Sequence, residues 1–424
     1  MISVGLDLSA LDPTFKSHAH RGIGRYVAEL HRYFESHHDP EVQVGFFDHE
    51  ALRRNELADK MVSLVPCGKT SIRQHLVYPR RLNQGVMRSF SLLHYPAHMD
   101  APAWSSKPYV LTVLDLIPHV LKDLYQAHKP GWKFKLARSL EIRSIRQAAL
   151  LLAISETTAN DLVRVLGIQR DKIVVTPLGV DPRFFDIASL RTQRGLSTES
   201  ELRSKLGIPK GRPIILYVGG HDERKNIGNL VGIVRDVGAE MRSRGKEAPL
   251  LVMAGRIGTS QERERLESTL RRHDMARDTV ILGYVADEEL KELYAESALF
   301  LFPTLYEGFG LPALEAMAAG LPVVGSNTSS IPEVVGDTGV LFDPLSIEAG
   351  AKAVLSVLDN ESAQRTLSAA GVERARLFTW EHTGKATVDG YKRAHALLAK
   401  NGILNHAHVS TGTPSSVEAK GACL

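Results

Sequence analysis

From its amino end the chain alternates short β-branched or leucine-rich runs with longer stretches in which apolar residues recur at helical spacing. Runs at residues 2–8, 43–47, 110–114, 150–154 and 173–176 have the length and composition of buried strands, as do those at 213–218, 250–254, 280–282, 299–302 and 323–326. Near-continuous apolar runs, rather than strict alternation, are what a sheet covered on both faces requires, and the helical stretches between them supply the covering layers. The pattern predicts an α/β protein of two doubly wound, Rossmann-like parallel-sheet domains. Between Asp181 and Gly211 the periodicity lapses and polar residues take over, which places the hinge there and gives domains of residues 1–205 and 206–376. A last helix is expected over 377–400, and the Gly, Ser, Thr and Ala of 401–424 suggest a disordered tail.

The most informative local pattern is P-T-L-Y-E-G-F-G-L-P-A-L-E-A-M-A-A-G at 303–320, directly after one of these strands. Gly308 and Gly310 permit a sharp turn and close backbone approach to a ligand, and Pro312 suits a first helical turn, where its missing N–H costs nothing. Glu307 falls in the loop and Glu315 one turn into the helix, on a side chain leaning back toward the same N-terminus. Both carboxylates can then reach one ligand, while the amides of Gly308, Phe309 and Gly310 and the positive end of the helix dipole favour an anion or a ring of hydroxyls.

Two further segments point at the same kind of ligand. The strand at 213–218 runs into G-G-H-D-E-R-K-N, so Arg224 and Lys225 lie where open α/β sheets bind ligands, at the carboxyl ends of their strands. Arg pairs bidentately with phosphate oxygens and Lys adds a compact charge, a pairing suited to a diphosphate. In the amino-terminal half, R-G-I-G-R-Y at 21–26, with Gly22 and Gly24, reads as a glycine-rich loop before a helix beginning near Val27. It lacks the third glycine of a dinucleotide fingerprint, whose place Val27 takes. The strand at 110–114 ends in Asp115, which serves either as a cap on the following turn or as a carboxylate in the cleft. Ser155 looks like a helix N-cap, with Glu156 in the first turn.

Over residues 307–323 the chain resembles the family 4 retaining glycosyltransferases of GT-B fold, whose signature is E-x7-E in an EGFGLPxLEAMAxGxPV context. The resemblance extends more loosely over residues 1–400 and implies two domains facing a cleft, with the last helix crossing back onto the first. It implies that Glu307 lies beside the donor sugar, that Glu315 holds the ribose hydroxyls, and that Gly308, Phe309 and Gly310 contact sugar and phosphate. Leu311 and Gly220 complete that donor-binding set. Lys225 and Arg224 map onto the basic pair that meets the diphosphate, Gly22 and Gly24 onto a loop near donor phosphate and acceptor, and Asp115 onto the T-V-H-D-L-I-P element. Two departures stand out. Leu114 replaces the His that contacts the donor sugar in many members, with His119 nearby but out of that slot, and Gly220 replaces a frequent Arg. The acceptor is expected to attack on the leaving group's own face, with a phosphate oxygen taking its proton.

Composition changes the picture only at the edges. The 424 residues exceed one core, and two cysteines, Cys67 and Cys423, give neither a disulfide framework nor a zinc spacing. No D-x-D pair occurs, so no metal and no cofactor is expected beyond the nucleotide-sugar substrate. GDP-mannose is the donor suggested by relatives with RGIGRY and DLIP elements. A net charge of +4 is too weak to imply nucleic acid, and no apolar run approaches membrane-spanning length, so a cytoplasmic enzyme is expected. The segment 130–146 carries Lys133, Lys135, Arg138, Arg143 and Arg146 against Glu141, with Trp132 and Phe134 at its start. That basic face suggests peripheral contact with an anionic membrane, and hence a lipid-linked glycan as well as a soluble carbohydrate as acceptor. A catalytically inactive sugar- or partner-binding relative and a nicotinamide-dependent oxidoreductase are the competing readings.

Overall fold

The computed structural model describes residues 1–13, 22–48, 85–126, 131–194, 201–255 and 259–402. Two six-stranded sheets organise them. The first contains β1 (Ile2–Asp7), β2 (Val42–Phe47), β3 (Leu92–Tyr95), β4 (Tyr109–Val113), β5 (Leu150–Ala153) and β6 (Ile173–Val175) in the order β2-β1-β3-β4-β5-β6. The second contains β7 (Ile214–Val218), β8 (Leu250–Ala254), β9 (Thr279–Gly283), β10 (Leu299–Phe302), β11 (Val323–Ser326) and β12 (Val340–Phe342) in the order β12-β11-β10-β7-β8-β9. Every neighbouring pair is parallel. β4, β5, β8 and β10 are buried at every position, as strands covered on both faces must be.

The two-sheet architecture matches the sequence reading, with two strands added. β3 was hidden by His94, a polar residue in a four-residue strand. Its imidazole is fully buried, bonding the Tyr391 hydroxyl at 2.7 Å and Thr112 Oγ1 at 2.8 Å, and burial holds its pKa down at about 3. β12, at three residues, is too short to show a period.

The region read as a hinge contains two helices, Arg183–Arg194 and Glu201–Leu206. The first is drawn in by buried Phe184 and Ile187, with Phe184 edge-on to Tyr294. Arg191 donates to the carbonyls of Tyr294, Ala295 and Ser297, satisfying the carbonyl end of the helix Asp287–Glu296 in the second domain.

The last helix, Trp380–Lys400, returns to the first domain, packing on the helix Gly22–Ser36 and on the first sheet. Gly390 makes this approach possible, because a Cβ there would lie 2.7 Å from a Leu152 methyl. The tail from 403 onward, Arg21, Cys67 and Cys423 fall outside the described residues.

Candidate active site

In the second sheet the chain leaves β7 toward one side and β10 toward the other, although the two strands are neighbours. Their carboxyl-end loops therefore open a crevice at the switch point, where doubly wound sheets bind ligands. The Leu305 amide donates to the Arg224 carbonyl at 2.7 Å, and Asn226, in the left-handed region at φ 56°, bridges the Pro303 and Pro344 carbonyls.

The crevice brings Arg224, Lys225 and Glu307 together. Lys225 Nζ lies 2.6 Å from Glu307 Oε1 and Arg224 Nη1 lies 2.7 Å from Oε2, one carboxylate clasped by two cations. Thr304 Oγ1 donates to the same carboxylate at 2.9 Å. Burial alone would raise the Glu307 carboxyl, but the Lys225 ammonium and Arg224 guanidinium outweigh it and hold the pKa below its ordinary value. Arg224 also donates to the Tyr306 carbonyl, and Lys225 lies 5.0 Å from the Phe302 ring centre.

The loop 303–310 is pinned from below by Ser329, whose hydroxyl accepts from the Glu307 amide, and by Ser330, which donates to the carbonyls of Glu307 and Phe309. Gly310 adopts φ 107° before the helix Leu311–Ala318. Gly308 meets the other domain: a Cβ there would stand 2.1 Å from the Leu114 carbonyl oxygen, so only glycine fits. The amides of Gly308, Phe309 and Gly310 donate to no described residue, although all three residues are buried.

Glu315 is buried on the helix Leu311–Ala318, facing the first domain. It is ion-paired with Arg25 of the helix Gly22–Ser36 and accepts from the Tyr294 hydroxyl at 3.3 Å. Burial raises its carboxyl above the ordinary value despite Arg25. The R-G-I-G-R-Y reading needs correction here. Gly22 and Gly24 lie in the first turn of a helix, not in a loop, and what the segment brings to the crevice is Arg25, with Gly22 close to a Leu311 methyl. Nothing in the local pattern pairs Arg25 with a carboxylate 290 residues away.

Asp115 Oδ1 accepts from the Ile117 amide at 3.0 Å, capping the turn, and its Cβ lies beside Gly308. Leu114 is buried in the first domain's apolar core, its amide 3.4 Å from His98 Nδ1. His119 Nε2 is buried without a hydrogen-bond partner among the described residues, and burial lowers its pKa. Gly220 uses its carbonyl to accept from the Tyr217 hydroxyl. Ser155 caps the helix Glu156–Leu166 through the Thr158 amide.

The basic segment forms the helix Trp132–Gln147, but its charges divide. Glu141 points inward, buried at 2.8 Å from His98 and 2.6 Å from Arg138, so Arg138 does not join a free basic face. Lys135, Arg143 and Arg146 are exposed, with Arg143 stacked over the exposed Trp104. The side chains of Lys133 and Phe134 lie outside the description. No described helix is long and apolar enough to cross a membrane.

Two family descriptions match the chain in succession: Glycosyltransferase Family 4 over residues 20–184 and Glycosyl transferases group 1 over residues 198–374. The chain is 33% identical over 249 residues to O-antigen chain mannosyltransferase B of Escherichia coli, covering 59% of this chain and 62% of that one. It is 29% identical over 282 residues to the serotype-specific mannosyltransferase WbdA of Escherichia coli, covering 66% of this chain and 32% of that one. The match thus spans less than two thirds of either relative's length. Among solved structures, sucrose-phosphate synthase from Thermosynechococcus elongatus superposes with a TM-score of 0.67 at 21% identity, covering 93% of this chain and 100% of that one. HepE of Anabaena in complex with UDP-glucose superposes at 0.60 and 16% identity, covering 94% and 100%. These structural likenesses establish a shared fold.

Proposed function

Because the chain belongs to the family 4 glycosyltransferases of GT-B fold, we propose that it moves a sugar from a nucleoside diphosphate sugar to a carbohydrate or lipid-linked glycan acceptor, with retention and without a metal ion. The observation that carries this reading is the buried cluster of Arg224, Lys225 and Glu307 beside three amides that no described residue accepts from. Two cations and a set of unclaimed N–H groups at a switch point suit a diphosphate and the sugar it bears. In this reading Arg224 and Lys225 stabilise charge on the departing diphosphate, and Glu307 orients Lys225 and lies beside the sugar. Glu315 holds ribose hydroxyls once Arg25 yields its place or shares it, and Asp115 faces the reacting sugar from the first domain. The acceptor hydroxyl attacks on the leaving group's face and loses its proton to a phosphate oxygen.

GDP-mannose is the first donor to test, since both E. coli relatives are named as mannosyltransferases. The exposed Lys135, Arg143 and Arg146 beside Trp104 and Trp132 support a peripheral contact with anionic lipid, which suits a lipid-linked acceptor.

The test is a thermal-shift panel of nucleotide sugars, followed by detection of free nucleoside diphosphate with the stabilising donor. Turnover in excess EDTA should match turnover without it. Loss of transfer restored by magnesium or manganese would remove the metal-free mechanism, and absence of both binding and diphosphate release would favour the inactive relative.

A further inference from the structure

The helix Glu156–Leu166 of the first domain and the short segment 329–333 of the second meet across the crevice. Glu333 reaches over to the helix's first turn, where Oε2 accepts from the Glu156 amide at 2.8 Å and Oε1 from the Thr157 amide at 2.6 Å and from the Thr157 hydroxyl. A helix leaves its first amides without internal partners, and here a carboxylate from another domain supplies what a local cap supplies elsewhere. Ser155 takes the next amide, that of Thr158.

The same helix face touches the loop that bears Glu307. Thr158 Oγ1 donates to the Gly308 carbonyl at 3.4 Å, and one turn further on the buried Asp161 accepts from the Tyr306 hydroxyl at 2.5 Å. Tyr306 immediately precedes Glu307, and its carbonyl is the one to which Arg224 donates. On the other side, Ser329 and Ser330 hold the backbone of Glu307 and Phe309, and Glu333 lies three residues beyond Ser330. Arg374 fixes that short segment by donating to the carbonyls of Glu333 and Val334 at 2.7 Å each. The loop is thus gripped between two parts that are themselves joined across the domain boundary.

We infer that Glu333 and Asp161 are positioning residues, which make the geometry of Glu307 depend on docking of the first domain's helix against the second. The inference rests on the reading of 303–310 as the donor-site loop. Undocking the helix releases Tyr306 and loosens Glu307 together with the carbonyl that steadies Arg224, so closure of the domains and assembly of the cation cluster are one event.

Hydrogen–deuterium exchange on the full chain, with no donor present, tests this directly. In Glu333→Ala the amides of Glu156 and Thr157 should exchange faster, and so should those of 304–310, each by about tenfold or more. Faster exchange confined to Glu156 and Thr157 overturns the coupling and leaves Glu333 a contact between domains. With GDP-mannose as the probe and diphosphate release as the readout, Glu333→Ala and Tyr306→Phe should each lower kcat by about 10- to 100-fold while donor KM stays within about threefold. Glu333→Gln, which keeps one acceptor oxygen, should recover part of the loss. A raised KM with kcat intact overturns the positioning role. Should Glu333→Ala not fold, Tyr306→Phe, lacking one hydroxyl, carries the exchange test on loop 304–310. A wild type that releases no diphosphate from any nucleotide sugar refutes the glycosyltransferase reading, while the exchange result still decides the coupling.

Discussion

Replacing Glu307 by Gln keeps the shape of the side chain and removes the charge that balances two buried cations. The side chains involved are nearly sequestered, with exposures of 7% for Lys225, 10% for Glu307 and 18% for Arg224. At contacts of 2.6 and 2.7 Å, the gross attraction in each pair is about 6 kcal/mol for an effective dielectric near 20. Desolvation offsets most of that, but removing Glu307 leaves Lys225 buried without its counter-ion, which typically costs about 3–5 kcal/mol, while Arg224 keeps Asp222 at 3.0 Å. Glu307→Gln should lose roughly that much in urea denaturation. The assay should follow far-ultraviolet circular dichroism, because Trp104, Trp132 and Trp380 all lie in the first domain or on the helix that packs against it. The sign with pH follows from the depressed folded-state pKa: the stabilisation is present above the ordinary carboxyl range and is lost as pH falls through the lowered value. The Gln variant should lack that acid limb. A second measurement separates structure from function. With Glu307 neutral, Lys225 and Arg224 lose the carboxylate that competes for them, Arg224 keeping only Asp222, so GDP should bind about tenfold tighter or more, recovering about 1.4 kcal/mol of the lost stability for each tenfold at saturating GDP. Turnover should nonetheless fall. A stability loss below about 1 kcal/mol would mean that the pairs are screened like surface bridges and the cluster is not desolvated. A full stability loss with unchanged GDP affinity would show that these cations do not meet the diphosphate.

Three other outcomes are expected. Glu315→Ala should raise donor KM more than Glu307→Ala does, because ribose contacts are made equally before and during reaction, whereas Glu307→Ala should act on kcat; a pure KM effect for Glu307→Ala would refute the division of roles. Asp7 is buried at the end of β1, and burial pushes its carboxyl up to about 7 against the bonds it accepts from Ser9. A raised folded-state pKa means stability that is complete below the unfolded value and lost as pH rises toward 7, so Asp7→Asn should exceed wild type by roughly 2–4 kcal/mol at about pH 8 and by almost nothing at about pH 4; parallel pH profiles would refute it. Replacing Lys135, Arg143 and Arg146 by Gln should release the protein from acidic vesicles, at roughly 1 kcal/mol per charge, without changing donor hydrolysis, and added salt should do the same. Equal sedimentation of variant and wild type would clear this face of membrane contact.

The parallel sheets were legible because burial on both faces forces unbroken apolar runs, and those runs survive as a pattern in one dimension. β3 escaped because its core contribution includes an imidazole, acceptable only where Tyr391 and Thr112 supply both ring nitrogens with partners. Tyr391 is 297 residues from His94, so no local window contains the compensation. The division of charge on the basic helix was hidden for a related reason: Glu141 stands as one acid among five cations in the sequence, but its partner His98 lies on another loop and turns it inward.

The site divides along the same line. The glycines, the proline and the spacing of Glu307 and Glu315 are local requirements of a strand-to-helix turn and could be read directly. What the carboxylates touch could not, because it is set by topology: β7 and β10 are adjacent at the switch point, which brings Glu307 to Lys225 across 82 residues, and domain docking brings Glu315 to Arg25 across 290. Both carboxylates are therefore already engaged by cations before any ligand arrives. Such preorganisation has a consequence for specificity. On the proposed roles, a nucleotide sugar would have to offer Arg25 and the Arg224–Lys225 pair anionic or hydroxyl partners good enough to replace or share the ones they have. A ligand that supplied the diphosphate alone would engage one cluster and leave the Arg25–Glu315 pair intact. On those roles, both clusters would be rearranged only by a ligand that spans from ribose to diphosphate, and that requirement discriminates against free phosphate and pyrophosphate without any clash being built against them.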